Sequence, residues 1–280
     1  MIRQIRQVLQ GQKVIEGAGV HLRRVFGFNT PELFDPFLLL DDFRSTNRED
    51  FIKGFPWHPH RGIETITYVL QGDVEHGDSL GNKGVISSGD VQWMTAGGGI
   101  IHQEMPKGDE NGELQGFQLW ANLPAVSKMM PPRYRGITSD DIPQVKKDNG
   151  LMIRIIAGEV EGVKGPADDI IIDPEYLDCT VPPQTDFSYS TKRGYTVFIY
   201  CIGGMGRVND TEVADGNLVL FDDGDEVVVQ SGYVPLRFLF CSGRPIKEPV
   251  AWRGPIVMNT EAELELAFSE LQNQTFIKKQ

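Results

Sequence analysis

The sequence predicts an all-β protein, two related β-barrels in tandem with a short C-terminal helix. Three observations carry this. Glycine (31) and proline (17) are plentiful among 280 residues and no long uninterrupted helical pattern occurs, which favours short strands joined by tight turns. Residues 65–94 alternate strand-like runs with turn chemistry. The same order of strand, Gly turn, strand, Gly-Asp turn and strand recurs about 130 residues downstream, an internal repeat of the kind a duplicated barrel leaves.

Taken in order, Thr65-Ile-Thr-Tyr-Val-Leu is rich in β-branched and aromatic residues and reads as a strand. Gln71-Gly72-Asp73 turns it, a polar hairpin region runs through Gly81-Asn82, and Ser88-Gly89-Asp90 leads into Val91-Gln92-Trp93-Met94. Pro131-Pro132-Arg133-Tyr134-Arg135-Gly136 opens a polar bridge that ends at Asn149-Gly150, which places a domain boundary near 135–145. The expected domains are therefore 1–135 and 136–280. The second opens on a strand at 151–157 and carries the repeat from Tyr195 through Gly203-Gly204, Asp215-Gly216 and Asp223-Gly224-Asp225 to Gln230. From Thr260 the pattern changes: a Thr N-cap, Glu261, Glu263 and Glu265, and apolar Ala262, Leu264, Leu266, Ala267 and Leu271 predict one helix.

Hydrophobic residues make up 40% and charged residues 24%, ordinary for a globular chain, so disorder is excluded as the main state. The net charge of −12 repels phosphate backbones and anionic lipid, so direct nucleic-acid or membrane binding is not expected. Cys179, Cys201 and Cys241 show no C-x-x-C spacing and read as buried, reduced thiols. The first 14 residues lack the apolar run of a signal peptide or anchor, so the expected location is cytoplasmic. The acidic run 222–226 reads as a solvated turn rather than a calcium loop.

Five histidines occur: His21, His58, His60, His76 and His102. His58-Pro59-His60 on an extended strand points both imidazoles to one face, and Pro59 biases His58 toward that geometry. His102-Gln103-Glu104 does the same with one imidazole and one carboxylate. Two such strands facing across a small barrel bring together His58, His60, His102 and Glu104 as metal ligands. His21 and His76 have no comparable partners and are read as surface or structural. Four ligands leave two positions free on a six-coordinate ion, which suits one divalent redox metal such as Fe(II); Mn, Ni, Co or Zn satisfy the same donors. Phe51, Phe55, Trp57, Trp93 and Met94 are candidates for an apolar cavity wall, and Gly97-Gly98-Gly99 for either an ordinary turn or a close approach of backbone to the metal pocket. No histidine follows His102, so the second barrel cannot repeat the site.

The stretch Gly54-Phe-Pro-Trp-His58-Pro-His60-Arg-Gly-Ile-Glu64, with Gly89-Asp-Val-Gln-Trp-Met-Thr-Ala-Gly97-Gly-Gly-Ile-Ile-His102-Gln-Glu104, resembles the pirin family, bicupins of the cupin superfamily. The likeness extends to Phe37-Leu-Leu-Leu-Asp-Asp-Phe43, to residues 243–250 and to residues 254–260, and so covers nearly the whole chain. It implies Fe bound in the N-terminal cupin through His58, His60, His102 and Glu104. Glu64 occupies the glutamate position of the general cupin motif without being a ligand; it either orients a ligand imidazole or merely partners Arg61, and the structural role is the one expected. The resemblance further implies an oxidoreductase of the quercetin 2,3-dioxygenase type, which opens a flavonol or related enolic substrate with O2, Glu104 acting as general base. Its alternative is a non-enzymatic iron-binding regulator that acts through protein partners, as a transcriptional coregulator or as a modulator of a metabolic enzyme.

Overall fold

The computed structural model describes residues 1–278. The chain forms two compact units, one of residues 12–139 with residues 246 onward, the other of residues 1–11 with residues 140–245. The first holds an antiparallel seven-stranded sheet in the spatial order Arg133–Ile137, Val91–Thr95, Ile63–Gln71, Gln115–Asn122, Phe37–Asp42, Val20–Phe26, Gln12–Glu16. Its second sheet has four strands in the order Phe55–His60, Ile100–Gly108, Asp73–Asp78, Lys83–Ile86.

The second unit repeats this plan strand for strand. Its large sheet runs Ile5–Gln10, Asn217–Phe221, Thr196–Gly203, Leu236–Gly243, Glu175–Val181, Met152–Ala157, Gln144–Lys146, and its small sheet Asp186–Ser190, Glu226–Ser231, Met205–Val208, Thr211–Ala214. Chain order also matches except at one edge. That position is filled in the first unit by Arg133–Ile137, which follows its barrel, and in the second by Ile5–Gln10, which precedes everything.

The division at 135/136 therefore needs correction at both ends of the chain. Leu9 pairs with Leu218 and Val8 with Val219, so the N-terminal strand closes the edge of the second barrel. The C-terminal helix Glu261–Gln272, capped by a Thr260–Glu263 capping box as its sequence predicts, belongs to the first. Backbone pairing explains both placements. A sheet edge with free N–H and C=O groups takes whichever strand reaches it, and that is a tertiary event with no local sequence signature.

The second barrel's core cluster is apolar, with Phe187, Val208, Val227 and Val229 among its buried residues. Cys179, Cys201 and Cys241 are buried free thiols, and burial pushes each of them up. In the acidic turn, Asp225 pairs with Arg193 at 2.7 Å and Asp223 lies 3.5 Å from Arg3, so the carboxylates face cations of the chain itself.

Candidate metal centre

The Phe55–His60 strand is an edge strand, bonded among the described strands only to Ile100–Gly108. An edge tolerates Pro56 and Pro59, which have no N–H to give to a second neighbour. Register places His58 opposite His102, and a bulge then shifts Glu104 to face Phe55. On the other side Glu104 faces His76 and His102 faces Asp78. Residues directly opposite in an antiparallel pair share a face, so this small sheet turns His58, His60, His102, Glu104, His76 and Asp78 all one way.

The ligand nitrogens of His58, His60 and His102 lie within 4.8 Å of one another. His58 Nδ1 is 2.9 Å from the Pro56 carbonyl and His60 Nδ1 is 3.1 Å from the Pro255 carbonyl. A carbonyl only accepts, so both Nδ1 atoms carry the hydrogen. Burial pushes both imidazoles below the ordinary value, His60 far below, which keeps them neutral. Each Nε2 is then a bare lone pair, yet the two Nε2 atoms are 3.1 Å apart. Two lone pairs at that distance repel unless a cation lies between them. His102 is fully buried, and neither ring nitrogen has a hydrogen-bond partner among the described residues. The three imidazoles thus fit a metal ion and leave their own hydrogen-bonding unsatisfied without one.

Glu104 is 6% exposed and accepts a hydrogen bond from the Thr67 hydroxyl at 2.7 Å. Burial raises its carboxyl to about 7, against the opposing pull of Thr67. Together with His58 and His60 it lines a cavity of about 520 Å³.

Of the two readings for His76, surface or structural, burial excludes the first. The His76 ring centroid lies 5.5 Å from that of His102, and the ring stacks on Tyr134 at 5.1 Å. Asp78 Oδ2 stands 3.4 Å from its Nε2, while the Asp78 carboxylate also takes Asn82 Nδ2 at 2.8 Å and so pins the following turn. His76-Gly77-Asp78 carries the same i, i+2 spacing as the other two pairs, and that signal was present in the sequence. His21 is exposed beside Asp50, as expected of a surface residue.

Glu64 sits on the opposite side of its strand from Thr65 and Thr67, because Thr67 reaches Glu104 and alternation sends its odd-even neighbours away. It accepts from the Thr95 hydroxyl at 2.6 Å and lies 3.9 Å from Arg133. It therefore orients no ligand imidazole, and Arg61 is not its partner. Arg61 instead donates to the Gly98 carbonyl at 2.8 Å and the Phe276 carbonyl at 3.0 Å and pairs with Glu270 at 2.7 Å, which ties down the C-terminal segment. The Gly97-Gly98-Gly99 turn makes room for that segment and for the 129–130 loop. A Cβ on Gly97 would meet the Met130 carbonyl at 2.1 Å, and Gly97 has φ +48°.

Of the expected cavity walls only Phe55 lines the 520 Å³ cavity. Phe51 and Met94 pack in apolar clusters, Trp93 is buried on the face that carries Glu64, and Trp57 is 53% exposed. The aromatic wall consists of Trp120, Trp252 and Phe28 instead. Trp120 stands edge-on to His60 at 5.0 Å, and Trp252 lies 6.0 Å from Trp120 and 4.5 Å from Phe28. Trp252 and Pro255 come from a hairpin, Ala251–Arg253 with Ile256–Met258, more than 190 residues from the histidine strand in sequence.

Residues 19–121 match the pirin family and residues 176–277 match the pirin C-terminal cupin domain. A pirin-like protein of Caulobacter vibrioides is 41% identical over 98% of this chain and 99% of its own length. The chain belongs to the pirin family. A Thermoplasma acidophilum protein named provisionally as a quercetin 2,3-dioxygenase is 45% identical over 84% of this pirin and 97% of its own length. Among solved structures, quercetin 2,3-dioxygenase from Acinetobacter baumannii superposes with a TM-score of 0.89 at 32% identity, covering 99% of each chain. A bacterial pirin from Escherichia coli, solved in complex with nickel(II), shares the fold at 22% identity and a TM-score of 0.64, covering 85% of this chain and 98% of its own. No helix among the described residues is long and apolar enough to cross a membrane.

Proposed function

We propose that this pirin is a metal-dependent dioxygenase of the quercetin 2,3-dioxygenase type, with one divalent ion, Fe(II), held by His58, His60, His102 and Glu104. The observation that carries the reading is the pair of bare Nε2 lone pairs, 3.1 Å apart, opening into a cavity of about 520 Å³. A cavity of that size lies within the range of roughly 300–1,000 Å³ that small-molecule sites occupy. The relative and the solved structure named for quercetin cleavage support the substrate class. When bound, such an ion supplies the electron exchange that ground-state O2 requires and makes a chelating hydroxyl more acidic.

The chain's own residues supply the rest. The carbonyls of Pro56 and Pro255 hold His58 and His60 in the Nδ1–H tautomer, so their Nε2 atoms point inward. Trp120 and Trp252 offer flat apolar surface to a planar phenolic and exclude water from one side of the cavity. Glu104 takes the proton of the flavonol 3-hydroxyl. A cation beside the carboxylate would lower its proton affinity, so Glu104 would have to loosen from the ion to take the proton, while the Thr67 hydroxyl occupies one of its oxygens.

The test is oxygen uptake with quercetin by chain loaded anaerobically with Fe(II), compared with Glu104→Gln at equal metal occupancy. Quercetin-dependent uptake above that of free iron, reduced about 100-fold in Glu104→Gln, is expected. Uptake no faster than free iron overturns the reading and leaves the regulator alternative; uptake unchanged in the variant makes Glu104 a ligand only.

A further inference from the structure

The cavity that holds His58, His60 and Glu104 is also lined by Glu16, Arg24 and Asp41. Neither metal binding nor the proton transfer above uses these residues. Their position follows from strand register. Thr67, whose hydroxyl bonds Glu104, pairs with Gln118; Gln118 pairs with Asp41; Asp41 pairs with Arg24. All four side chains therefore share the inner face of the large sheet, and the Thr67 hydroxyl lies 3.0 Å from the Gln118 carboxamide oxygen. Two strand spacings separate Thr67 from Asp41, about 10 Å. A polar rail thus runs from Glu104 across the cavity floor to Asp41, and the aromatic wall of Trp120, Trp252 and Phe28 lines the same cavity.

Asp41 is 6% exposed. Arg24 grips it with two parallel hydrogen bonds, Nε to Oδ1 at 2.9 Å and Nη2 to Oδ2 at 2.7 Å, and gives Nη1 to Glu16 at 2.8 Å. Each carboxylate oxygen can accept more than one hydrogen bond and, among the described residues, receives one from Arg24, so both have acceptor capacity left in an orientation set by a rigid fork. Burial raises the carboxyl to about 6 in spite of Arg24, a sign that the buried charge is short of donors. A carboxylate so held, on the wall of a largely apolar cavity, is built to take a hydroxyl hydrogen from whatever fills it.

We propose that Asp41, oriented by Arg24, is a specificity-determining residue that accepts a hydrogen bond from a phenolic hydroxyl on the end of the ligand remote from the histidines. The occupant is then an aromatic compound polar at both ends. One end meets His58, His60 and Glu104, the other meets Asp41, and the flat middle lies along Trp120 and Trp252. This assignment rests on the flavonol reading above and adds to it the choice among flavonols.

Two probes separate the ends of the cavity. Quercetin and 3-hydroxyflavone share the 3-hydroxy-4-keto group, but only quercetin carries hydroxyls on its other rings. Their Kd values are measured anaerobically on Fe(II)-loaded chain by quenching of tryptophan fluorescence, which Trp120 and Trp252 report directly, and oxygen uptake is measured separately. Wild type should bind quercetin at least about tenfold more tightly, the effect of one hydrogen bond to a charged group. Asp41→Asn should bring the two Kd values within about threefold of each other and leave that of 3-hydroxyflavone unchanged. The double variant Arg24→Gln, Asp41→Asn should do the same, and it removes the cation that the single variant leaves to Glu16 alone. A preference retained in both variants overturns the assignment, and so does an equal loss of both ligands, which marks a structural role. A preference lost as expected without any oxygen uptake supports Asp41 and overturns the oxygenase reading. Binding of neither flavonol by wild type overturns both.

Discussion

Replacing Glu104 by glutamine should stabilise the metal-free protein while weakening its hold on metal. In the metal-free fold the Glu104 carboxyl is raised from its ordinary 4.5 to about 7, burial being the cause. Above pH 7 the group is ionised in both the folded and unfolded chain, and the folded state bears the desolvation. A difference of about 2.5 pH units corresponds to roughly 3 kcal/mol of lost stability. As pH falls through 7 the folded state takes up the proton first, so the wild type regains stability between pH 7 and 4.5. Glutamine has nearly the same shape, keeps an oxygen for the Thr67 hydroxyl and does not titrate. Metal-free Glu104→Gln should therefore exceed wild type by about 3 kcal/mol at pH 8 and match it near pH 5. Urea unfolding followed by tryptophan fluorescence is the assay, because Trp57, Trp93, Trp120 and Trp252 all lie in the unit that contains Glu104. Metal should reverse the order, since the carboxylate then has its cation. A stability difference independent of pH, or none at pH 8, would refute the claim that the metal-free fold carries an uncompensated buried carboxylate.

Other consequences are as direct. Titration should show one equivalent of divalent metal per chain, lost on His58→Ala, His60→Ala or His102→Ala; a second equivalent would contradict the apolar core cluster of the second barrel. His76→Ala should retain the ion with little change in affinity, because neither ring nitrogen of His102 bonds to His76, and calorimetry showing the ion lost would place His76 among the ligands. Lys128 is 1% exposed and donates to the Gly62 carbonyl at 2.9 Å, Asn122 Oδ1 at 2.6 Å and the Val257 carbonyl at 3.0 Å. Lys128→Met leaves these three acceptors buried without a donor and should cost about 3 kcal/mol or more in the same fluorescence-detected unfolding; a loss under 1 kcal/mol would mean that water replaces the ammonium.

Much of the site was legible because its signal is local. Alternation along a strand is a property of the backbone, so His58-x-His60 and His102-x-Glu104 announce a shared face without any knowledge of the fold. The same rule puts His76 and Asp78 on one face of their strand, but only the pairing of that strand with Ile100–Gly108 brings the face to His102 and Glu104. The cavity wall was misread for a different reason. Trp93 and Trp120 are both tryptophans on buried strands, and only register decides that one faces the histidines and the other the opposite side of the sheet.

The all-β class, the repeat, the capped C-terminal helix and the histidine pairs are written in composition, turn chemistry and periodicity, all short-range properties of the chain. Which barrel receives the first strand and the last helix, the Pro255 carbonyl that sets the His60 tautomer, and the rail from Glu104 to Asp41 are decided only by tertiary structure. Each of these depends on backbone groups or side chains far apart in sequence meeting at hydrogen-bond distance. A carbonyl or a register offset carries no residue identity, so nothing in the sequence marks it in advance.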